Sequence, residues 1–296
     1  MHHPDQTKEI IRQVKKVEIT TKNLVDGIIA GNYHSVFKGQ GIEFSDIRGY
    51  NPGDDIRTID WKVTARLNQP FVKEFIEERD LLVYFLFDAS ASGSFGNQIS
   101  KRNKAIEMTA SLIFAAMRNN DNMGLIMFTD KIERFVPPRK GRKHALKLIR
   151  EMITFEPESK KTDIKNCLVY ASKLIKKRSV IFIISDFYSP DFMQPLRIIK
   201  KNNDIVPVRI HDKREFEMPD IGLIELEDEE TGEQILVDTS DPMFRQRYLM
   251  EVRASKAQLE KSFNKMGIDC LDIVTDNPYE TPLRKFFKMR KHRVVR

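Results

Sequence analysis

Residues 81–87 read Leu-Leu-Val-Tyr-Phe-Leu-Phe, an unbroken apolar run. Such a run has no polar face to offer water, so it reads as a strand covered on both sides, the pattern of a central strand in a parallel sheet. The polar cluster Asp88-Ala89-Ser90-Ala91-Ser92 follows at once and therefore falls at that strand's carboxyl end. Open α/β sheets bind ligands at this edge, where loops vary while the strands hold them rigidly. One carboxylate and two hydroxyls at alternate positions, separated only by alanine, form a compact set of hard oxygen donors suited to magnesium.

Strands and helices alternate from there on. Residues 101–118 place Ala105, Met108, Leu112, Ile113, Ala116 and Met117 on one helical face. A strand at 123–128, a short antiparallel partner at 132–136 and a helix near 143–152 follow. The next helix begins at Thr162-Asp163 and leads to the apolar strand 180–184, which ends in Ser185-Asp186. Ser189-Pro190 predicts another helix start, with a capping hydroxyl and proline at the first helical position. A strand at 205–210 comes next, then a hairpin over 223–237 turning at Glu229-Glu230-Thr231-Gly232. A helix from 242 to 266 and a strand from 268 to 274 complete the pattern. The order predicts an α/β fold with a doubly wound, mostly parallel sheet over residues 80–277. An amino-terminal extension of helix and loop or β structure covers 1–79, and a basic carboxyl-terminal helix or tail covers 278–296.

The longest apolar runs are about seven residues, far below the roughly 20 that span a bilayer. The start, Met1-His2-His3-Pro4-Asp5, lacks the basic and apolar segments of a secretory signal. Cys167 and Cys270 lie far apart in apolar patterns, which suits a reducing compartment, and the chain is expected in the cytoplasm. The net charge of +7 is densest in the tail, from Arg284 to Arg293 with Arg296 beyond. That charge suits phosphate, acidic lipid or an acidic protein. Without a recognition motif it reads first as a solvated terminal helix with a frayed end.

Asp88, Ser90 and Ser92 after the first strand, Thr162 at a helix start and Asp186 after a later strand converge on one sheet edge. This set resembles the metal-ion-dependent adhesion site of von Willebrand factor A (vWA) domains. The resemblance implies that Ser90, Ser92 and Thr162 supply hydroxyl oxygens to Mg2+, or Mn2+, while Asp88 and Asp186 act mainly through bound water. It also implies an exchangeable position filled by an acidic side chain of a protein partner. Singly, each residue has a plainer role: Thr162 as a helix cap, Asp88 and Asp186 as acceptors for loop amides, Ser90 and Ser92 as turn formers. Their joint occurrence at the expected element ends favours the metal.

A second block lies at residues 39–80. Glu43, Asp46, Arg48 and Tyr50 lead into Pro52-Gly53-Asp54-Asp55, then Arg57, Asp60-Trp61 and Arg66. The block resembles the signature of a bacterial domain-of-unknown-function family, number fifty-eight, whose members join it to a vWA-like domain; the likeness runs from about residue 17 to 192. Many such relatives carry two amino-terminal membrane helices, and this chain shows none. Gly93-Ser94 stands where relatives usually have methionine after the second serine. Members are often encoded beside MoxR-type AAA+ ATPases, which implies a partner or substrate adaptor of such an ATPase. Physically, Pro52-Gly53 is a tight-turn pair, with glycine supplying the positive φ of a type II turn. The acids and arginines, with Trp61 as the sole tryptophan, read as a structural clasp anchoring this segment on the vWA-like domain; a second recognition surface is the alternative. Were this block to cover the metal edge, one of its own acids would fill the open position.

The leading expectation is a non-enzymatic, metal-dependent protein-interaction module with no small-molecule substrate. The alternative is a magnesium-dependent phosphoesterase or nuclease using Asp88 and Asp186. Against it, the Asp-x-Ser loop lacks a second aspartate, no close carboxylate cluster suits two metals, and Ser90 lacks the glycine elbow of a catalytic serine. No phosphate-binding Gly-rich loop with Lys-Ser/Thr is present, so nucleotide hydrolysis by this chain is not expected. A third expectation is nucleic-acid binding through the basic tail, which would weaken steeply with salt.

Overall fold

The computed structural model describes residues 4–24, 36, 43–76, 81–91, 100–216, 218–228 and 230–294. The chain divides into two compact units, one of residues 1–36 together with 82–296 and one of residues 37–81. The first helix, α1 (Pro4–Leu24), belongs to the larger unit.

The smaller unit is a two-stranded antiparallel sheet of β1 (Glu43–Gly49) and β2 (Phe71–Ile76) with the short helix α2 (Trp61–Leu67) between them in sequence. The register shifts between Phe44 and Asp46, an irregularity that bends a strand. Gly53 takes φ +111° after Pro52, and the Asp54 N–H donates to the Asn51 carbonyl at 3.0 Å, closing the turn expected there.

In the larger unit a six-stranded sheet contains β3 (Leu82–Asp88), β4 (Asn122–Phe128), β5 (Ile132–Arg139), β6 (Val180–Ser185), β7 (Asp204–His211) and β10 (Leu271–Val274). Their order is β10-β7-β6-β3-β4-β5, with every pair parallel except β4 with β5. The separate hairpin β8 (Leu223–Glu227) with β9 (Gln234–Asp238) forms its own two-stranded sheet. The doubly wound, mostly parallel α/β sheet is the one the alternating pattern implies. The chain runs outward from β3 through β4 to β5, then returns to the other side of β3 for β6 and β7. The order reverses between β3 and β6, which makes their carboxyl ends the switch point of the sheet.

The core follows from the apolar runs. Val83, Phe85, Leu86 and Phe87 are buried, as is the whole of β6. Phe85 and Phe182 lie opposite one another in register, their rings stacked 5.5 Å apart at 10°. Gly124, opposite Tyr84, has no room for a side chain, since a Cβ would lie 2.9 Å from the Tyr84 ring. Around the sheet run α3 (Lys101–Arg118), α4 (Arg142–Thr154), α5 (Ile164–Leu174), α6 (Met193–Lys200), α7 (Pro242–Lys265) and α8 (Glu280–Val294).

Three expectations differ from the structure. First, α1 packs on α3 and α4, and its Glu18 pairs with Arg142 at 2.6 Å. Residues 4–24 thus belong with the α/β body rather than forming one extension through residue 79; an amphipathic helix has an apolar stripe to bury, and those two helices cover part of it, leaving Ile11 and Ile19 exposed. Second, α6 starts at Met193 with Phe192 as a cap that makes no side-chain bond, not at Ser189-Pro190. The Ser189 hydroxyl instead accepts from the Ile164 N–H of α5 at 3.3 Å, and left-handed Asp191 (φ 55°) interrupts the approach to the helix. Third, the basic tail is not merely a solvated helix. Leu283, Phe286 and Phe287 of α8 are buried, and Arg290 grips Asp204 at 2.7 and 3.1 Å and Asp269 at 3.3 Å. Docking an apolar face needs only one side of the helix, so Arg284, Lys285, Lys288 and Lys291 stay exposed.

Phe85→Ala removes a ring from the centre of the sheet and should cost about 3–5 kcal/mol. Chemical denaturation should show a lower midpoint with an unchanged slope.

A candidate metal centre at the switch point

Parallel pairing of β3 with β6 brings Asp88 and the Ser185-Asp186 pair to one end of the sheet. Asp88, Ser90, Lys101, Ser185 and Asp186 line one open cavity of about 30 Å3. Asp88 is partly buried, and Ser90, Lys101 and Asp186 are buried. Asp88 Oδ1 accepts the Ser90 N–H at 3.0 Å, and its Oδ2 accepts the Ser185 hydroxyl at 2.7 Å. Asp186 Oδ1 accepts the Tyr188 N–H at 3.2 Å, and its Oδ2 lies 3.1 Å from Lys101 Nζ. Lys101 Nζ also reaches Glu215 Oε1 at 2.8 Å.

Burial, followed by repulsion from Asp186, raises the Asp88 pKa to about 6. Burial opposes charge on Lys101, but Asp186 and Glu215 outweigh it and hold its pKa above the ordinary value. The cavity thus joins two carboxylates in low dielectric, where a cation is strongly favoured. Oxygen donors from Asp88, Ser90 and Asp186 fit magnesium or manganese by type. Among the described residues, no three Asp, Glu, His or Cys side chains cluster in a way that would hold a metal. A metal here depends on hydroxyls as much as on carboxylates.

The five residues singled out from sequence do not all meet. Asp88, Ser90 and Asp186 share the cavity, whereas Ser92 lies outside the described residues. Thr162 is not among the residues lining that cavity, and its hydroxyl donates to Glu230 Oε1 at 2.6 Å while its N–H donates to Glu230 Oε2 at 3.3 Å. Nor is Thr162 the cap of α5, because Asp163 takes that place by accepting from the Asn166 N–H at 2.9 Å. Lys101, Ser185, Glu215 and Glu230 were not anticipated. Lys101 left one signal in the sequence: a lysine in the first turn of a helix opposes the helix dipole, so a buried one there must have acidic partners.

The signature residues of the smaller unit build its turns. Arg48 clamps Asp54 through two bonds of 2.7 and 2.8 Å, and Asp54 also accepts the Asn51 N–H at 2.8 Å. The Arg48 bond, reinforced by the Asn51 amide, lowers the Asp54 pKa to about 2. Asp55 accepts the Arg57 N–H at 3.0 Å, and Asp46 accepts from its neighbour Ile47 at 2.8 Å. Asp60 caps α2 through Lys62 and Val63, and Tyr50 donates its N–H to the Pro70 carbonyl at 2.9 Å. Arg57 and Arg66 are exposed, and of Glu43 the structure describes only its place at the start of β1. Within the smaller unit Trp61 is not buried: it is 66% exposed.

The chain belongs to the family described as "Protein of unknown function DUF58", which matches residues 46–258. It is 29% identical over 282 residues to "Uncharacterized protein Rv1480" of Mycobacterium tuberculosis, covering 94% of this chain and 89% of that protein. Among solved structures, BatB, a conserved hypothetical protein from Bacteroides thetaiotaomicron, is similar at 14% identity and TM-score 0.43, covering 72% of this chain and 99% of that one. The VWA domain of SpRpn10 is similar at 13% identity and TM-score 0.40, covering 69% of this chain and 93% of that one. The fold class follows from the strand order itself. No helix among the described residues is long and apolar enough to cross a membrane.

The raised pKa of Asp88 means that the folded chain keeps a proton that the unfolded chain releases between about pH 4 and 6, so the charged form present at pH 7 opposes folding. Asp88→Asn should therefore stabilise the metal-free protein by up to about 3 kcal/mol at pH 7, a gain that shrinks below pH 6 and is lost below about pH 4; thermal denaturation across pH checks it. Trp61, the sole tryptophan, should be quenched by acrylamide in the native protein almost as readily as in the unfolded chain.

Proposed function

We propose that this chain is a non-enzymatic, vWA-like protein-interaction module that holds Mg2+, or Mn2+, at the switch point of its sheet. The observation that carries this reading is the meeting of Asp88, Ser90 and Asp186 in one cavity between the ends of β3 and β6. Two partly or fully buried carboxylates repel one another there; Lys101 offsets the charge of Asp186, and a divalent ion would neutralise Asp88 as well. Asp88, Ser90 and Asp186 would hold the ion, with Ser185 keeping the Asp88 carboxylate in place. When bound, the ion supplies an electrophilic position for an acidic side chain of a protein partner. Beyond Asp186 opens a second cleft of about 310 Å3 lined by Phe187, Tyr188, Phe216, Arg209 and Lys256 among others, which gives neighbouring side chains of that partner somewhere to go.

Family membership supports a partner of the MoxR-type AAA+ class, since relatives are encoded beside such ATPases. The two free cysteines, Cys167 and Cys270, support a reducing, cytoplasmic setting. The phosphoesterase alternative gains nothing from the cavity, whose carboxylates are Asp88 and the Lys101-paired Asp186 rather than a two-metal cluster.

Magnesium at 100 times its dissociation constant should stabilise the wild type by about 2.7 kcal/mol and leave Asp88→Ala/Ser90→Ala unchanged in a thermal shift assay. A purified MoxR-type ATPase of the same host should be retained by tagged wild type with magnesium and released by chelator. Equal retention by the double variant, or in chelator, would remove the metal from the mechanism.

A further inference from the structure

The hairpin of β8 and β9 stands apart from the main sheet, its strands paired only with one another. Leu223, Ile235 and Leu236 are exposed along it while Val237 is buried, so only part of its apolar surface holds it in place. Residues 223–238 contain seven acidic side chains and no basic one, in a chain whose net charge is +7.

Hydrogen bonds to Asp228 shape its turn and place one carboxylate. Asp228 Oδ1 accepts the N–H groups of Glu230 at 2.8 Å and Thr231 at 3.3 Å, and the Gly232 N–H donates to the Asp228 carbonyl at 2.7 Å. Gly232 adopts φ +74°, a conformation that a side chain would strain. At the base, the Thr239 N–H and hydroxyl both donate to the Gly222 carbonyl, at 2.8 and 2.7 Å. A hairpin fixed at both ends thus delivers Glu230 to Thr162, where both carboxylate oxygens are engaged.

The loop bearing Thr162 is joined to the Asp88 loop. The Ala91 N–H donates to the Lys160 carbonyl at 3.0 Å, and the Asp163 N–H to the Thr129 carbonyl at 3.1 Å. Glu230 therefore approaches, from within the chain, the edge at which an outside carboxylate is expected. It does so through the residue that the sequence pattern marks as part of the site and the cavity leaves out.

We propose that the β8–β9 hairpin is an internal occupant of the carboxylate-binding edge, with Glu230 standing in for the acidic side chain of a partner. The partner chemistry follows: an acidic turn on a β-hairpin or loop, which binds by displacing Glu230 from Thr162. This rests on the reading of the edge as a carboxylate-capturing site.

Two measurements on the full chain test it. Hydrogen exchange of the hairpin amides should rise about tenfold in Glu230→Ala and in Thr162→Val, since each removes hydrogen bonding to a charged acceptor, while β3 stays protected. A fluorescent synthetic peptide of residues 225–235 should bind Glu230→Ala in magnesium about tenfold more tightly than it binds wild type. It should fail to bind Thr162→Val, whose hairpin is equally released but whose edge lacks the hydroxyl. Unchanged hairpin exchange in both variants, or equal peptide binding by wild type and Glu230→Ala, would overturn the proposal. Peptide capture by Glu230→Ala that persists in chelator would keep the hairpin as occupant and overturn the metal reading alone.

Discussion

In-register parallel pairing of β3 and β6, from Val83 opposite Val180 to Phe87 opposite Ile184, brings the carboxyl ends of two buried strands level with one another. Asp88 and Asp186 extend from those ends into a common cavity. The stacked rings of Phe85 and Phe182 lock the register from within the core. A slip of one residue would turn every side chain of a strand to the other face, so the core and the site cannot be adjusted independently. Folding forces two like charges together, and the surroundings must answer for it.

The answer at this edge is a set of buried ionic ties. Lys101 joins Asp186 to Glu215 and so links the start of α3 to the end of β6 and the turn after β7. Asp212 is fully buried after β7 and accepts bonds from Arg214 and from the Thr275 hydroxyl. The Arg214 bond draws its pKa well below the ordinary carboxylate range. One strand further on, Asp272 pairs with Arg209 at 2.7 and 2.8 Å and lies 3.2 Å from His211. Such groups cost much to desolvate and more to leave unpaired. Their concentration at the carboxyl edge makes the loops there fixed by charge, whereas the middle of the sheet is held by apolar packing.

The smaller unit solves a different problem. With two strands and one short helix it has little apolar surface to bury, and its aspartates supply order through caps and turns: Asp54 on Arg48, Asp55 on Arg57, Asp60 on α2. The pattern of acids and arginines that reads in sequence as a clasp is largely the internal scaffold of this unit. Trp61, left 66% exposed, has the size and amphipathic character of residues that carry binding energy at interfaces.

The apolar runs alone place the central strands, the kind of sheet and the edge that bears the site. Unbroken apolar runs at 81–87 and 180–184 are strands wherever they are placed, because no polar face is available to water. The polar residues directly after them, Asp88, Ser90 and Asp186, then have to lie at their carboxyl ends. Short-range chemistry was equally legible in the turn at Pro52-Gly53 and in the hairpin around Gly232. Tertiary structure alone decided which distant charges meet. Lys101 faces Asp186 across 85 positions and Thr162 meets Glu230 across 68, and no local periodicity encodes such pairings. It likewise decided that Ser189 serves α5 rather than its own helix, that one face of α8 is buried and that Trp61 is not. Periodicity and capping rules act within a few residues; the pairing of side chains from separate elements depends on how the whole sheet is assembled, and that is settled only when the core closes.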